Sequence, residues 1–318
     1  MGLAQTAKFY VDEAKAQGVD LGSRFAIVTG ASSGIGLETA RALAEGGVHV
    51  VMACRNVAKA RECIAQMQGE GDFKARLSAM HVNLEDFASV KTFASEYLGT
   101  GKPLNVLVCN AGTFAYTHRT TEADGYEVAF QTCHLAHYLM FRLLEAKLVS
   151  SAPSRVVMVA SITHKLAPEW DWPALADKHK GFGSDVGPTA LSLMPSYAQA
   201  KLANVHMAQH IAARLGPKGV RAFACHPGGV DSGIYPWFTW PLMRVIMLTP
   251  QQGAATSCML AVGKSMDAFD PCDCAYFENG AMGYFGTKVC ATSEFASNVE
   301  NRERLMRESE RIVAAFLP

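Results

Sequence analysis

Short, continuously apolar runs rich in β-branched residues alternate with helix-forming stretches along most of this chain. The runs are FAIVT (25–29), VHVVMAC (48–54), LSAMHV (77–82), LNVLVCN (104–110), RVVMVAS (155–161), VRAFACH (220–226) and CAYF (274–277). Runs this short that lack polar–apolar alternation are expected of strands buried on both faces. Between them lie helical patterns such as GLETARALAEGG (36–47) and SYAQAKLANVHMAQHIAARLG (196–216). Strand–helix alternation of this kind builds right-handed βαβ units, and therefore a parallel sheet covered on both sides. The expected fold is α/β: a doubly wound (Rossmann) seven-stranded parallel sheet in one domain over 22–318, after an N-terminal helical extension over 1–21. The rhythm breaks at 162–194 and 231–250, each following a strand's C-terminal end. Open α/β sheets bind ligands there, so both stretches are expected to wall a substrate pocket.

Charge narrows the choice of partner. The 318 residues hold 29 Lys and Arg against 29 Asp and Glu, a formal net charge of zero. A nucleic-acid binder needs a basic surface to neutralise phosphates, so that class is set aside. The N-terminus has no uninterrupted apolar core and carries Asp12 and Glu13, unlike a secretory signal or a mitochondrial presequence. No apolar run reaches the roughly 18 residues that cross a bilayer. The longest candidate, 236–250, is interrupted by Pro241 and Arg244. Nine cysteines without a pairing rhythm point to reduced thiols and a cytoplasmic setting. No metal site is expected.

Two constellations carry chemistry. The first follows the first strand: Thr29-Gly30-Ala31-Ser32-Ser33-Gly34-Ile35-Gly36, opening a helix. Glycines permit the tight turn and let backbone approach a pyrophosphate, while the helix start offers unpaired N–H donors and a partial positive charge. An NAD-binding site usually has Asp or Glu at the tip of the second strand, for the ribose 2′-hydroxyl. Here the tip reads Cys54-Arg55-Asn56, with Lys59 one turn on. A guanidinium suits a 2′-phosphate, so the expected cofactor is NADP(H).

The second constellation is Tyr197-Ala198-Gln199-Ala200-Lys201. Positions i and i+4 share a helix face, so phenol and ammonium point the same way. A nearby cation favours phenolate and makes the tyrosine usable as an acid or base near neutral pH. The preceding strand ends in Ser161, whose hydroxyl can bond a substrate oxygen. The strand that follows ends in His226-Pro227-Gly228-Gly229-Val230-Asp231-Ser232.

Thr29–Gly36, Asn110-Ala111-Gly112, Ser161, Tyr197 with Lys201, and Pro227-Gly228 together resemble the short-chain dehydrogenase/reductase family over about residues 22–280. ACRN, the helix after Tyr197 and HPGGVDSG are similar to the branch of retinol dehydrogenases and WW-domain oxidoreductases. The resemblance implies that Tyr197 is the general acid in reduction, that Lys201 holds the nicotinamide ribose and lowers the tyrosine pKa, and that Ser161 steadies the substrate oxygen. It places Gly30, Ser32, Ser33, Gly34, Ile35 and Gly36 at the pyrophosphate, Asn83 and Leu84 at the adenine, and Asn110, Ala111 and Gly112 along the cofactor. Pro227, Gly228, Val230 and Ser232 fall at the nicotinamide end.

One departure bears on mechanism. Where the family carries Asn in "N-H-L-x-H", this chain reads Cys133-His134-Leu135-Ala136-His137. That Asn helps hold a water leading protons from the lysine, and a thiol is a poor substitute. His134, His137 and His226 are expected to be scaffold. Trp170, Trp172, Trp237, Phe238 and Trp240 gather in the two irregular stretches, either as an apolar lid or packed onto the body. The substrate expected is a bulky apolar carbonyl or alcohol, retinoid-, steroid- or lipid-like. The alternatives are a catalytically weak, cofactor-binding regulatory or scaffold protein, and a light-dependent tetrapyrrole reductase. A homo-oligomer stays open.

Overall fold

A computed structural model of the chain describes residues 5–67, 73–114, 119–176, 194–231, 247–279 and 287–318. Its strands are β1 (Phe25–Thr29), β2 (His49–Cys54), β3 (Leu77–His81), β4 (Val106–Cys109), β5 (Ser154–Val159), β6 (Val220–His226), β7 (Tyr276–Asn279) and β8 (Thr287–Cys290). They form one sheet in the order β3-β2-β1-β4-β5-β6-β7-β8. The first seven pair in parallel, and the order reverses direction between β1 and β4, as in a doubly wound sheet.

The expectation of seven strands is corrected to eight. β8 returns antiparallel along β7, pairing Tyr276 with Cys290 and Asn279 with Thr287. It escaped the sequence reading because it is a four-residue edge strand, TKVC, with no fully buried position and Val289 53% exposed. An edge strand with water on one side has no need of a continuous apolar run.

The longer helices are α1 (Ala7–Ala16), α2 (Gly34–Gly46), α3 (Val57–Gln66), α4 (Phe87–Gly99), α5 (Ala136–Ser150), α6 (Met194–Leu215), α7 (Pro250–Val262) and α8 (Val299–Val313). Side chains alternate across a strand, so each central strand feeds two cores. On β4, Val106 and Val108 join the cluster under α1, α2 and α7, while Leu107 and Cys109 join the cluster under α4, α5 and α6. β5 divides likewise: Val157 and Val159 on the first side, Val156 and Met158 on the second.

The N-terminal extension is part of the first core. α1 buries Ala7, Tyr10, Val11 and Ala14 against α2 and α7. All parallel strands end at one edge of the sheet, and the segments leaving that edge build the site.

Candidate active site

At the centre of that edge, β1 hands over to α2 through Gly30–Ser33. Ser33 stands at the helix N-cap in extended conformation, and its side chain makes no capping hydrogen bond. The first-turn amides therefore receive no cap from the protein's own hydroxyl and open into the cleft. Gly36 lies so close to Asn110 Nδ2 and the Gly30 carbonyl that a Cβ would collide with both. Packing thus demands glycine at that third position.

Thr29 ties this turn to the next strand. Its hydroxyl accepts from the backbone N–H of Asn110 and of Ala111, both at 3.0 Å, and stands 2.9 Å from His137 Nε2. Burial depresses the His137 pKa to about 4, so the ring is neutral near pH 7. Its Nδ1 lies 2.9 Å from the Cys133 carbonyl and must carry the proton, which leaves Nε2 to accept from Thr29. Every group in this knot has a partner. Asn110 Nδ2 also donates to the Thr29 carbonyl at 2.8 Å.

At the tip of β2, Asn56 caps α3 by accepting from the Lys59 amide at 2.9 Å, which places Arg55 and Lys59 over the same end of the cleft. Arg55 is 70% exposed and reaches Glu85 at 3.3 Å. Glu85 is held more firmly by Arg119, with contacts of 2.7 and 3.2 Å. Asn83 Oδ1 accepts from the Glu85 amide at 3.2 Å, fixing the turn that carries both residues.

The chemical end forms where β5 stops. Ser161 caps a 3-10 turn over Ile162–Leu166, its hydroxyl accepting from Thr163 N–H at 3.3 Å. His164 supports that turn from within, with Nδ1 2.7 Å from the Ser161 carbonyl and its ring edge-on to Tyr276 at 4.8 Å. Opposite, α6 presents Tyr197 and Lys201. The lysine is 2% exposed, donates to the Val159 carbonyl at 2.9 Å, and lies 5.5 Å from the centre of the Tyr197 ring. Asn204 Nδ2 shares the same carbonyl at 3.2 Å.

Gly112 leaves the room this ammonium occupies. A Cβ there would sit 3.2 Å from Lys201 Nζ and 3.1 Å from Cys133 Sγ. Cys133 itself is fully buried in a π-helical turn, Gln131–Leu135, with its thiol 3.8 Å from the Thr113 carbonyl. Beyond β6, the chain runs beside the start of α7, Leu248 N–H donating to the Gly229 carbonyl at 2.7 Å. This sets Pro227, Gly228 and Val230 on the far wall.

One cleft of about 790 Å³ collects these residues. Gly30, Ser32, Ser33, Gly34, Ile35, Gly36, Arg55, Asn83, Leu84, Asn110, Ala111, Gly112, Ser161, Tyr197, Lys201, Pro227, Gly228 and Val230 all line it. Ser232 lies outside the described residues, as do Trp237, Phe238 and Trp240. Trp170 and Trp172 are described and do not line the cleft. They stack 5.5 Å apart, Arg304 of α8 covers Trp172, and Trp170 faces His206 of α6, so these two pack the loop onto the body. Among the histidines, His134 is buried 2.8 Å from Ser309 Oγ, whereas His226 lines the cleft.

Sequence reading missed Glu85, Arg119 and the Thr29–His137 contact. Glu85 follows Asn83-Leu84 directly, so its nearness to the Arg55 end of the cleft is legible locally. The other partners lie 34 and 108 residues apart, and nothing local announces them.

Comparison with known proteins agrees with this geometry. The family model described as "short chain dehydrogenase" matches residues 24–171. The human WW domain-containing oxidoreductase is 35% identical over 305 residues, covering 93% of this chain and 70% of that protein. Mouse retinol dehydrogenase 11 is 34% identical, covering 81% of each chain. Among solved structures, an uncharacterized protein of Mycobacterium paratuberculosis superposes with TM-score 0.72 at 25% identity, covering 98% of both chains. A short chain dehydrogenase of Burkholderia cenocepacia in complex with NADP shares the fold, at TM-score 0.61 and 22% identity, over 79% of this chain and 95% of that one.

Proposed function

Because this chain belongs to the short-chain dehydrogenase/reductase family, oxidoreductases of alcohol and carbonyl groups, we propose that it uses NADP(H) and acts on a bulky apolar molecule. The observation that carries the reading is the Lys201 ammonium, buried beside the Tyr197 ring and facing the same cleft as Ser161. The residues fit the cofactor. The uncapped start of α2 suits a pyrophosphate, and Arg55 with Lys59 suits a 2′-phosphate. When bound, the nicotinamide supplies the hydride that reduces a carbonyl carbon, or takes it back from an alcohol.

The proton is the protein's part. In reduction Tyr197 gives its hydroxyl proton to the carbonyl oxygen, and Ser161 donates a hydrogen bond that holds this oxygen in place. The charge left on the phenolate is stabilised by Lys201, whose own position is fixed by the Val159 carbonyl. In oxidation the phenolate accepts the alcohol proton.

An apolar substrate fits the apolar side chains beside the site: Ile162 and Leu166, on the turn that follows Ser161, are 45% and 70% exposed, though neither lines the cleft itself. It is also supported by the likeness to retinol dehydrogenases 11 and 12, the human form of the latter being 32% identical over 95% of this chain. A cytoplasmic setting goes with this reading, and among the described residues no helix is long and apolar enough to cross a membrane.

The test is consumption of NADPH and of NADH with aldehydes and ketones graded in size and polarity. Turnover should rise with apolar bulk and favour NADPH. Absence of turnover with every carbonyl, alongside intact NADPH binding, would instead favour the scaffold reading that Cys133 suggests.

A further inference from the structure

At the end of the cleft that carries Arg55 and Lys59, two arginines share one carboxylate. Glu85 is the only acid among the described residues that line the cleft. It stands beside Arg55 and Lys59, where we place the 2′-phosphate. A free carboxylate there repels a phosphate dianion and accepts a ribose hydroxyl, so left alone it would select against NADPH.

It is not left alone. Arg119 grips it with two nitrogens, NH1 at 2.7 Å from Oε2 and NH2 at 3.2 Å from Oε1. The backbone of Arg119 is anchored in turn, its carbonyl accepting from Val128 N–H at 3.0 Å. Hydrogen bonds from Arg119, with added attraction from Arg55, hold the Glu85 carboxyl below the usual carboxylate range. Arg55 keeps only a single 3.3 Å contact and is 70% exposed.

We infer that Arg119 is a specificity-determining residue: by pairing with Glu85 it offsets the one carboxylate among the described lining residues that would oppose a 2′-phosphate, and it leaves Arg55 with only a single long contact to give up to that phosphate. The inference rests on the NADP(H) reading and adds to it a residue that need not touch the cofactor. Bidentate geometry is what the task requires, since two parallel contacts take both carboxylate oxygens at once.

The test is binding, read by cofactor fluorescence and by displacement with 2′,5′-ADP, in the unmutated protein and in Arg119→Gln, Glu85→Gln and the double variant. A unit charge exposed a few ångströms from a phosphate changes binding by roughly three- to ten-fold at low salt. Arg119→Gln is therefore expected to weaken NADPH and 2′,5′-ADP by about that factor and to change NADH less than about two-fold. Glu85→Gln should change NADPH less than about two-fold, because Arg119 already answers that charge. In the Glu85→Gln background, Arg119→Gln should lose its effect, because the charge it answers has gone. Two results overturn the inference: an NADPH-to-NADH preference unchanged in Arg119→Gln, or an equal loss in both backgrounds, which would mean that Arg119 meets the phosphate directly. Equal binding of NADPH and NADH by the unmutated protein is a different failure, that of the NADP(H) reading. The Arg119 side chain is 48% exposed and that of Glu85 21%, and melting curves check that the variants are folded.

Discussion

The two ends of the cleft handle a cation in opposite ways. At the chemical end, Lys201 is 2% exposed and fastened to a main-chain carbonyl. At the opposite end, where the adenosine is proposed to lie, the Arg55 side chain is 70% exposed and tethered by one long contact. A buried charge acts through weakly screened fields and must be satisfied by fixed partners; an exposed charge acts through water and salt. The first arrangement suits a proton transfer that tolerates little displacement, and the second suits capture of a charged group that arrives from solvent. Chemistry and cofactor choice should therefore differ in both size of effect and sensitivity to salt.

The sharpest way to break that contrast is Tyr197→Phe. Losing the phenolic proton should lower turnover by about 10²–10⁴-fold or more, with NADPH affinity changed less than roughly two-fold. Single-turnover measurements beside a cofactor titration separate the two quantities, and near-normal turnover would remove Tyr197 from its role.

Next in size is Thr29→Val, which keeps the shape and deletes the hydroxyl between the two ends. The Ala111 amide and His137 Nε2 then lose their partner, whereas the Asn110 amide keeps the Val108 carbonyl at 3.0 Å. Stranding two buried polar groups costs about 2–4 kcal/mol. Denaturant unfolding should show that loss. A change under about 0.5 kcal/mol would mean that Thr29 is incidental to the join.

The smallest expected effect is at the exposed end. Arg55→Ala should weaken NADPH by about ten-fold at low salt and leave NADH nearly unchanged, with the gap narrowing as ionic strength rises. A gap independent of salt would show Arg55 to be desolvated in the complex, and the contrast between the ends would fail.

The sequence disclosed the parts of this molecule that are buried on both faces. β1, β2 and β4 to β7 announce themselves because they are buried almost throughout, β3 by its apolar residues although Ser78 and His81 are exposed, and β6 was read at its observed bounds, 220–226. β8 has a wet face and no such pattern. Motif residues were legible for a similar reason: the turn after β1 and the Tyr197–Lys201 pair are local spacings. Pairings made by the fold were not legible, since Arg119 with Glu85 and Thr29 with His137 are fixed by strand order rather than by any neighbouring residue. The tryptophans show the converse limit. Aromatic enrichment in a loop reads alike for a pocket lid and for a packing anchor, and only the positions of Trp170 and Trp172 against α6 and α8 distinguish them.

The anchor of Lys201 has a consequence for how such a protein can change over generations. The Val159 carbonyl belongs to the main chain, so no substitution can delete it, and Asn204 reads the same atom. The lysine thus takes its position from the end of a central strand. Rewriting of the turn that follows Ser161 can alter the rim of the site without shifting the point from which, on the proposed mechanism, the proton is managed. On the proposed roles, substrate choice and proton handling would be separately heritable traits in this architecture, the first free to drift while the second stays put.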